Sequence, residues 1–221
     1  MTPDLHSARF YAILDSAYVQ RSRWRETCAA LIAGGADLVQ VRAKRESPAE
    51  REELVQEVLP GFETPRPRPF LIINDDVDLC ARTPGAGLHI GQDDMPATEA
   101  RRRIGPDRVL GLSTHSWPQA QAAMALPAGV ISYFCIGPIF ATQTKPDYTP
   151  VGLKLVSQVA AARPELPWFV IGGINRANIA AVVAAGASRV VVVSDVLLAP
   201  DPAAAIGELR TVLKRGGSVA L

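Results

Sequence analysis

Asp75 directly follows one short apolar run, LIIN (Leu71 to Asn74), and Asp94 stands four residues past another, GLHI (Gly87 to Ile90). Carboxylates are hard oxygen ligands, and Mg²⁺ takes one or two of them, completing its shell with water and phosphate oxygens. If the two runs are neighbouring parallel strands, Asn74, Asp75 and Asp94 meet at one carboxyl edge, where open α/β sheets and α/β barrels both place ligands. A structural reading competes: Asp75 caps the brief helix in DDVDLCAR, and Asp94 sits near a helix opened by Pro96. His89 lies between the two acids. A strand histidine is more often hydrogen-bonded core than catalyst, so it is kept as a base-edge or ring contact.

Cations stand at the end of another run. In Gln40-Val41-Arg42-Ala43-Lys44 the alternation sends Gln40 and Arg42 to one side, with Lys44 just beyond. An Arg and a Lys on a surface need no explanation, but a cation inside a barrel needs an anionic partner, either phosphate or carboxylate. Further on, Gly172-Gly173 and Val193-Ser194 each end an apolar run, and residues 195–198 fit a short extra helix. Barrels form phosphate sites from backbone amides at that place, although glycine pairs also serve simple tight turns. Between these regions, Thr142, Gln143, Thr144 and Lys145 offer hydroxyls, amides and a cation on the longest irregular tract, which suits a lid that excludes water.

These groups converge only if the elements behind them alternate strand and helix. FYAILD (Phe10 to Asp15), LVQVR (Leu38 to Arg42), LIIN, GLHI, VLGLST (Val109 to Thr114), VISYFCIG (Val130 to Gly137), WFVIGG (Trp168 to Gly173) and RVVVVS (Arg189 to Ser194) read as strands. Helical spacing separates them: RWRETCAALIAGG with a glycine stop, SPAEREELVQEVL with Ser47 as N-cap and Pro48 at the first turn, ATEARRRI, SWPQAQAAMA, GLKLVSQVAAA, INRANIAAVVAAGA and PAAAIGELRTVLK. PGFETPRPRP has linker composition, but strands lie close on both sides, so it reads as a surface loop. About eight β-α units predict an α/β fold, a single closed (β/α)8 TIM barrel. The alternative is a doubly wound open sheet, which lacks a GxGxxG after the first strand. One domain is expected over residues 1–221, with its core at about 9–215.

Composition narrows the function classes. With 23 Lys+Arg against 22 Asp+Glu there is no overall basic field to steer the chain to nucleic acid or an anionic membrane. The start, MTPDLHSARF, lacks a signal-peptide core, and no uncharged apolar run reaches membrane-spanning length, so a soluble, cytoplasmic protein is expected, with no membrane partner. Cys28, Cys80 and Cys135 are odd in number and set among apolar residues, which predicts reduced core thiols; a nucleophilic cysteine stays open. Self-association into a homo-oligomer is likewise left open.

The ordered series VQVRAK, IINDDVDL, GLHIGQDDMP, GLSTHS, IGPIFATQTK, PVGL, IGGIN and VVVVSD closely resembles the thiamine phosphate synthase family, from FYAILD to about Pro202. The resemblance implies a barrel that joins a hydroxymethylpyrimidine diphosphate to a thiazole phosphate with Mg²⁺, releasing pyrophosphate through a dissociative, cation-like path. It places pyrimidine-diphosphate contacts on Gln40, Arg42, Lys44, Asn74, Ser113 and Lys145, with Arg42 and Lys145 catalytic through charge stabilisation. Mg²⁺ falls on Asp75 and Asp94, and thiazole-phosphate contacts on Thr142, Thr144, Gly173, Val193 and Ser194. Pro146-Asp147-Tyr148 departs from the pattern of many relatives, where a second lysine or more acidic residues follow. Thiazole tautomerases, a related branch, need the phosphate end without the diphosphate and metal set, and a non-catalytic phosphate-binding barrel would show a broken ligand set.

Overall fold

Short runs that are apolar at nearly every position form the strands, because each strand is covered on both faces. The computed structural model describes residues 4–63, 69–142 and 148–216. Its strands are β1 (Phe10–Asp15), β2 (Leu38–Arg42), β3 (Phe70–Asn74), β4 (Gly87–Ile90), β5 (Leu110–Thr114), β6 (Tyr133–Ile136), β7 (Trp168–Ile171) and β8 (Val190–Val192). All pair in parallel in chain order, and β8 returns to β1 with Phe10 opposite Val190, which closes the barrel. The open-sheet alternative is thereby excluded. Alternation splits the strand residues into two sets. In β1, Phe10, Ala12 and Leu14 join the apolar layer under the helices, whereas Tyr11 and Ile13 join Leu38, Ile72, Tyr133, Cys135, Phe169 and Val191 in a separate cluster. That second cluster packs the barrel interior, and Leu5 and Ala8 belong to it.

The helices around the barrel are α1 (Trp24–Ala33), α2 (Pro48–Val58), α3 (Val77–Arg82), α4 (Ala97–Ile104), α5 (Trp117–Met124), α6 (Gly152–Ala162), α7 (Ile179–Ala184), α8 (Ser194–Leu197) and α9 (Pro202–Gly216). Ser47 caps α2 in a full capping box: its hydroxyl accepts from the Glu50 N–H, and the Glu50 carboxylate accepts from the Ser47 N–H.

Several elements are shorter than their sequence pattern predicts, β6, α7 and β8 most of all, while β5 loses Val109 and β7 its two closing glycines. β6 begins at Tyr133 because Val130 turns back onto the Pro127 carbonyl at 3.1 Å. α7 begins at Ile179 because the Asn175 carboxamide oxygen accepts from the Ala177 and Asn178 amides at 2.9 and 3.2 Å, which holds that stretch as a turn. β8 stops at Val192, since the Val193 carbonyl already accepts from the Val196 and Leu197 amides at 3.2 and 2.9 Å. The short helix therefore starts at Ser194, one residue before the expected position.

The three cysteines are buried. Burial pushes the Cys28 thiol up to about 12 and the Cys80 thiol up to about 11, which disfavours the nucleophilic thiolate at both. Among the described residues, no helix is long and apolar enough to cross a membrane.

Candidate active site

The charged rim is assembled from β1 to β4. Asp15 and Arg42 are register partners at the ends of β1 and β2, and the Arg42 guanidinium donates from Nη1 to Asp15 Oδ2 at 2.6 Å. Asp15 is only 1% exposed, and its other oxygen accepts from the Ala17 amide at 2.9 Å. Arg42 thus has a carboxylate partner of the chain's own. Lys44, exposed just past β2, pairs with Asp75, which also accepts from the Asn74 amide nitrogen at 2.7 Å.

Asp75 leaves β3 in the left-handed region, at φ 59, and its N–H donates to the His89 carbonyl at 2.9 Å. Aspartate tolerates that conformation better than most residues. The helix-cap reading of Asp75 is resolved by its neighbour, because Asp76 caps α3 and accepts from the Leu79 amide at 2.9 Å. Asp94 accepts from the Gly91 amide at 2.7 Å. Burial first, and then the adjoining Asp75, push the Asp94 carboxyl above its ordinary value, while the Gly91 N–H and Lys44 pull the other way.

Below the rim lies a neutral floor. Gln40 donates from Nε2 to the Tyr11 hydroxyl at 2.5 Å, Tyr11 and Tyr133 share a hydrogen bond at 3.0 Å, Tyr133 meets His89 Nδ1 at 3.0 Å, and His89 Nε2 meets Ser113 Oγ at 2.8 Å. All five residues are buried. His89, expected as a ring contact, sits mid-chain here. Tyr11, Tyr133 and Asp15 were absent from the residues singled out by type and spacing.

The opposite half of the mouth is built around a pair of glycines. Gly172 and Gly173 follow β7 at φ 104 and 65. A Cβ on Gly172 would fall on Pro138, and one on Gly173 on Phe140 and the Ala141 carbonyl. That close approach is sealed by Ile139 N–H to the Ile171 carbonyl and Phe140 N–H to the Gly172 carbonyl, each 3.0 Å. His115, past β5, meets the Gly137 carbonyl through Nδ1 at 2.5 Å and packs on Tyr148 with ring centroids 4.5 Å apart. Thr142 is described; Thr144 and Lys145 lie outside the described residues.

One cavity joins the two halves: Gln40, Arg42, Asn74 and Ser113 line it together with Thr142, Gly173, Val193 and Ser194. A second hollow is lined by Lys44, Asp75 and Asp94, with Arg51 and Arg103 beyond them. Asn74 lines both.

The family model for thiamine monophosphate synthase matches residues 10–196. The chain belongs to this family. It is 41% identical over 234 residues to the thiamine-phosphate synthase of Arthrobacter sp. (strain FB24), covering 97% of this chain and 98% of that one. The thiamine-phosphate synthase of Acidothermus cellulolyticus is also 41% identical, over 216 residues covering 96% and 98% of the two chains. Among solved structures, the thiamine phosphate pyrophosphorylase from Pyrococcus furiosus superposes with a TM-score of 0.77 at 25% identity, covering 96% of this chain and 98% of that one.

For a member of the thiamine monophosphate synthase family, the donor set near Asp75 suits a small hard cation. Among the described residues no group of three or more His, Cys, Asp or Glu side chains gathers as a protein-only metal cage. Two adjoining carboxylates, one with its pKa raised partly by the other, are what Mg²⁺ takes when water and phosphate fill its remaining positions.

Proposed function

We propose that the chain couples 4-amino-2-methyl-5-(diphosphooxymethyl)pyrimidine with 4-methyl-5-(2-phosphooxyethyl)thiazole, giving thiamine phosphate and pyrophosphate. The observation that supports this best is the single cavity in which Arg42 and the polar strand ends Gln40, Asn74 and Ser113 face the Gly172-Gly173 turn and Ser194. The bond between the pyrimidine methylene carbon and the diphosphate oxygen breaks, its electron pair leaves with pyrophosphate, and the thiazole nitrogen supplies the pair for the new C–N bond. The protein's work is to orient two rings, stabilise the departing anion and keep water out.

In this reading Gln40, Asn74 and Ser113 hold the pyrimidine diphosphate, and Arg42, Lys44 and Lys145 balance charge on the leaving group. Arg42 and Lys145 are the catalytic pair. Thr142, Thr144, Gly173, Val193 and Ser194 hold the thiazole phosphate, with backbone N–H groups suited to phosphate oxygens. Asp75 and Asp94 would hold Mg²⁺, which when bound supplies positive charge to the diphosphate. A single domain with a core of about 9–215 suffices for the whole site, and a cytoplasmic setting suits its thiols.

The test is to mix purified protein with both substrates and Mg²⁺ and follow thiamine phosphate and pyrophosphate together. Equimolar appearance of the two is expected. Tight thiazole-phosphate binding with no coupled product would overturn the proposal.

A further inference from the structure

The floor chain links two ligand-facing residues that stand three strands apart, Gln40 on β2 and Ser113 on β5. Its links are 2.5, 3.0, 3.0 and 2.8 Å long, and each carries one proton. Burial holds the Tyr11 and Tyr133 phenols above their ordinary values, so both remain protonated donors. Two polarities are then self-consistent. With Gln40 Nε2 donating to Tyr11, as in the structure, Tyr11 donates to Tyr133, Tyr133 to His89 Nδ1, and His89 Nε2–H to Ser113. Gln40 then shows its carbonyl oxygen to the cavity, and Ser113 shows its hydroxyl proton. With the amide turned over, every link reverses, and Gln40 shows N–H while Ser113 shows a lone pair. A mixed state aims two protons at one acceptor or strands a buried phenol proton, which is costly.

We propose that the relay Gln40–Tyr11–Tyr133–His89–Ser113 couples the hydrogen-bonding polarity of its two ends, making Tyr11 and Tyr133 positioning residues that select a 4-aminopyrimidine over its 4-oxo counterpart. This rests on the function proposed above. A phosphate oxygen only accepts, and both pyrimidine diphosphates carry it, so one at Ser113 draws the hydroxyl proton outward. The relay then runs from Gln40 to Ser113, and the Gln40 carbonyl faces the base. An exocyclic amine donates to that carbonyl; a 4-oxo group presents an acceptor to an acceptor and is rejected.

The surrounding sequence makes room for the relay. A Cβ on Gly111 of β5 would fall on the Tyr133 hydroxyl and on His89 Nδ1, so the strand gives up a side chain where the central link passes. Edge-on packing of Tyr133 against Phe169, with centroids 5.4 Å apart, and of Tyr11 against Phe169 at 5.6 Å, holds both phenols in place by their rings. Phenylalanine in place of either tyrosine keeps that packing and removes only the relay oxygen.

The test compares wild type with Tyr133→Phe and, in case that variant does not fold, Tyr11→Phe. Two readouts are taken: the ratio of Ki for the 4-oxo diphosphate analogue to KM for the amino substrate, and the His89 tautomer by ¹⁵N NMR of the ligand-free protein. Wild type is expected to hold His89 as the Nε2–H tautomer. In the variants that preference weakens, the Ki/KM ratio falls by about tenfold, and KM for thiazole phosphate stays unchanged. An unaltered ratio, or a His89 spectrum that is the same with and without the Tyr133 hydroxyl, overturns the relay. If wild type coupled neither pyrimidine, the function proposal would fall, and the His89 spectra alone would decide: a tautomer preference lost in the variants upholds the relay, and an identical one overturns it.

Discussion

The two halves of the barrel mouth are built of different material. From β1 to β5 the mouth is edged by side chains held by other side chains: Arg42 by Asp15, Lys44 by Asp75, Ser113 by His89. From β6 to β8 it is faced by backbone brought close by glycine, with Gly172 and Gly173 at positive φ against the β6–α6 loop. On the function proposed above, the first half would discriminate by charge and hydrogen-bond polarity, and the second by shape. Substitutions should therefore separate the halves cleanly: chemical changes injure one, and a single added methyl injures the other.

The largest effect is expected from Asp75→Asn. It keeps the size of the side chain and removes a charge from the rim, so Mg²⁺-dependent turnover should fall about 10²- to 10³-fold. Thiazole-phosphate affinity, measured by calorimetry, should not change. Equal loss of both would break the division between halves. Gly173→Ala makes the complementary cut. It forces a side chain into φ 65 and onto Phe140 and Ala141, a strain of about 1–3 kcal/mol, and should raise KM for thiazole phosphate while leaving pyrimidine-diphosphate binding intact.

A smaller effect concerns Asp94, whose carboxyl is raised by burial and by Asp75. Such a group takes up a proton on folding between the ordinary carboxylate value and the raised one. In metal-free protein, stability should therefore fall as pH rises through that window and level off above it. Thermal melts across the carboxylate range check this, and Asp94→Asn should flatten the step. The smallest effect serves as the control. Ser47→Ala breaks the α2 capping box and should cost about 1 kcal/mol of stability in denaturant titrations, touching neither half.

The same contrast decides how much could be read from residues alone. β1, β2 and β4 match their expected spans residue for residue, because a strand covered on both faces is an unbroken apolar run with polar ends. Arg42, Lys44, Asp75 and Asp94 were visible because charges at strand ends stand out. Tyr11 and Tyr133 were not, since an aromatic inside an apolar run looks like packing. Their signal was positional: Tyr11 alternates with Phe10 and Ala12 and shares a face with Ile13 and Asp15. The run RVVVVS overreaches β8 for a different reason, because apolarity continues through Val193 after its carbonyl has turned to cap α8. Ser113 came only through family resemblance, since a serine in a strand carries no charge to mark it.

The Asp15–Arg42 and Asp75–Lys44 pairs have a consequence for how the site lets go. Each cation carries its own counter-ion, so on the roles proposed above an arriving anion would exchange with a carboxylate instead of meeting a bare charge, and the net gain in binding would be smaller than the cation alone would give. The exchange also runs backwards. When the bond is made and the anion must depart, Asp15 stands 2.6 Å from the guanidinium, ready to take its place. On those roles, a clamp fitted with resident competitors would grip moderately and release fast, favouring repeated turnover over tight product retention.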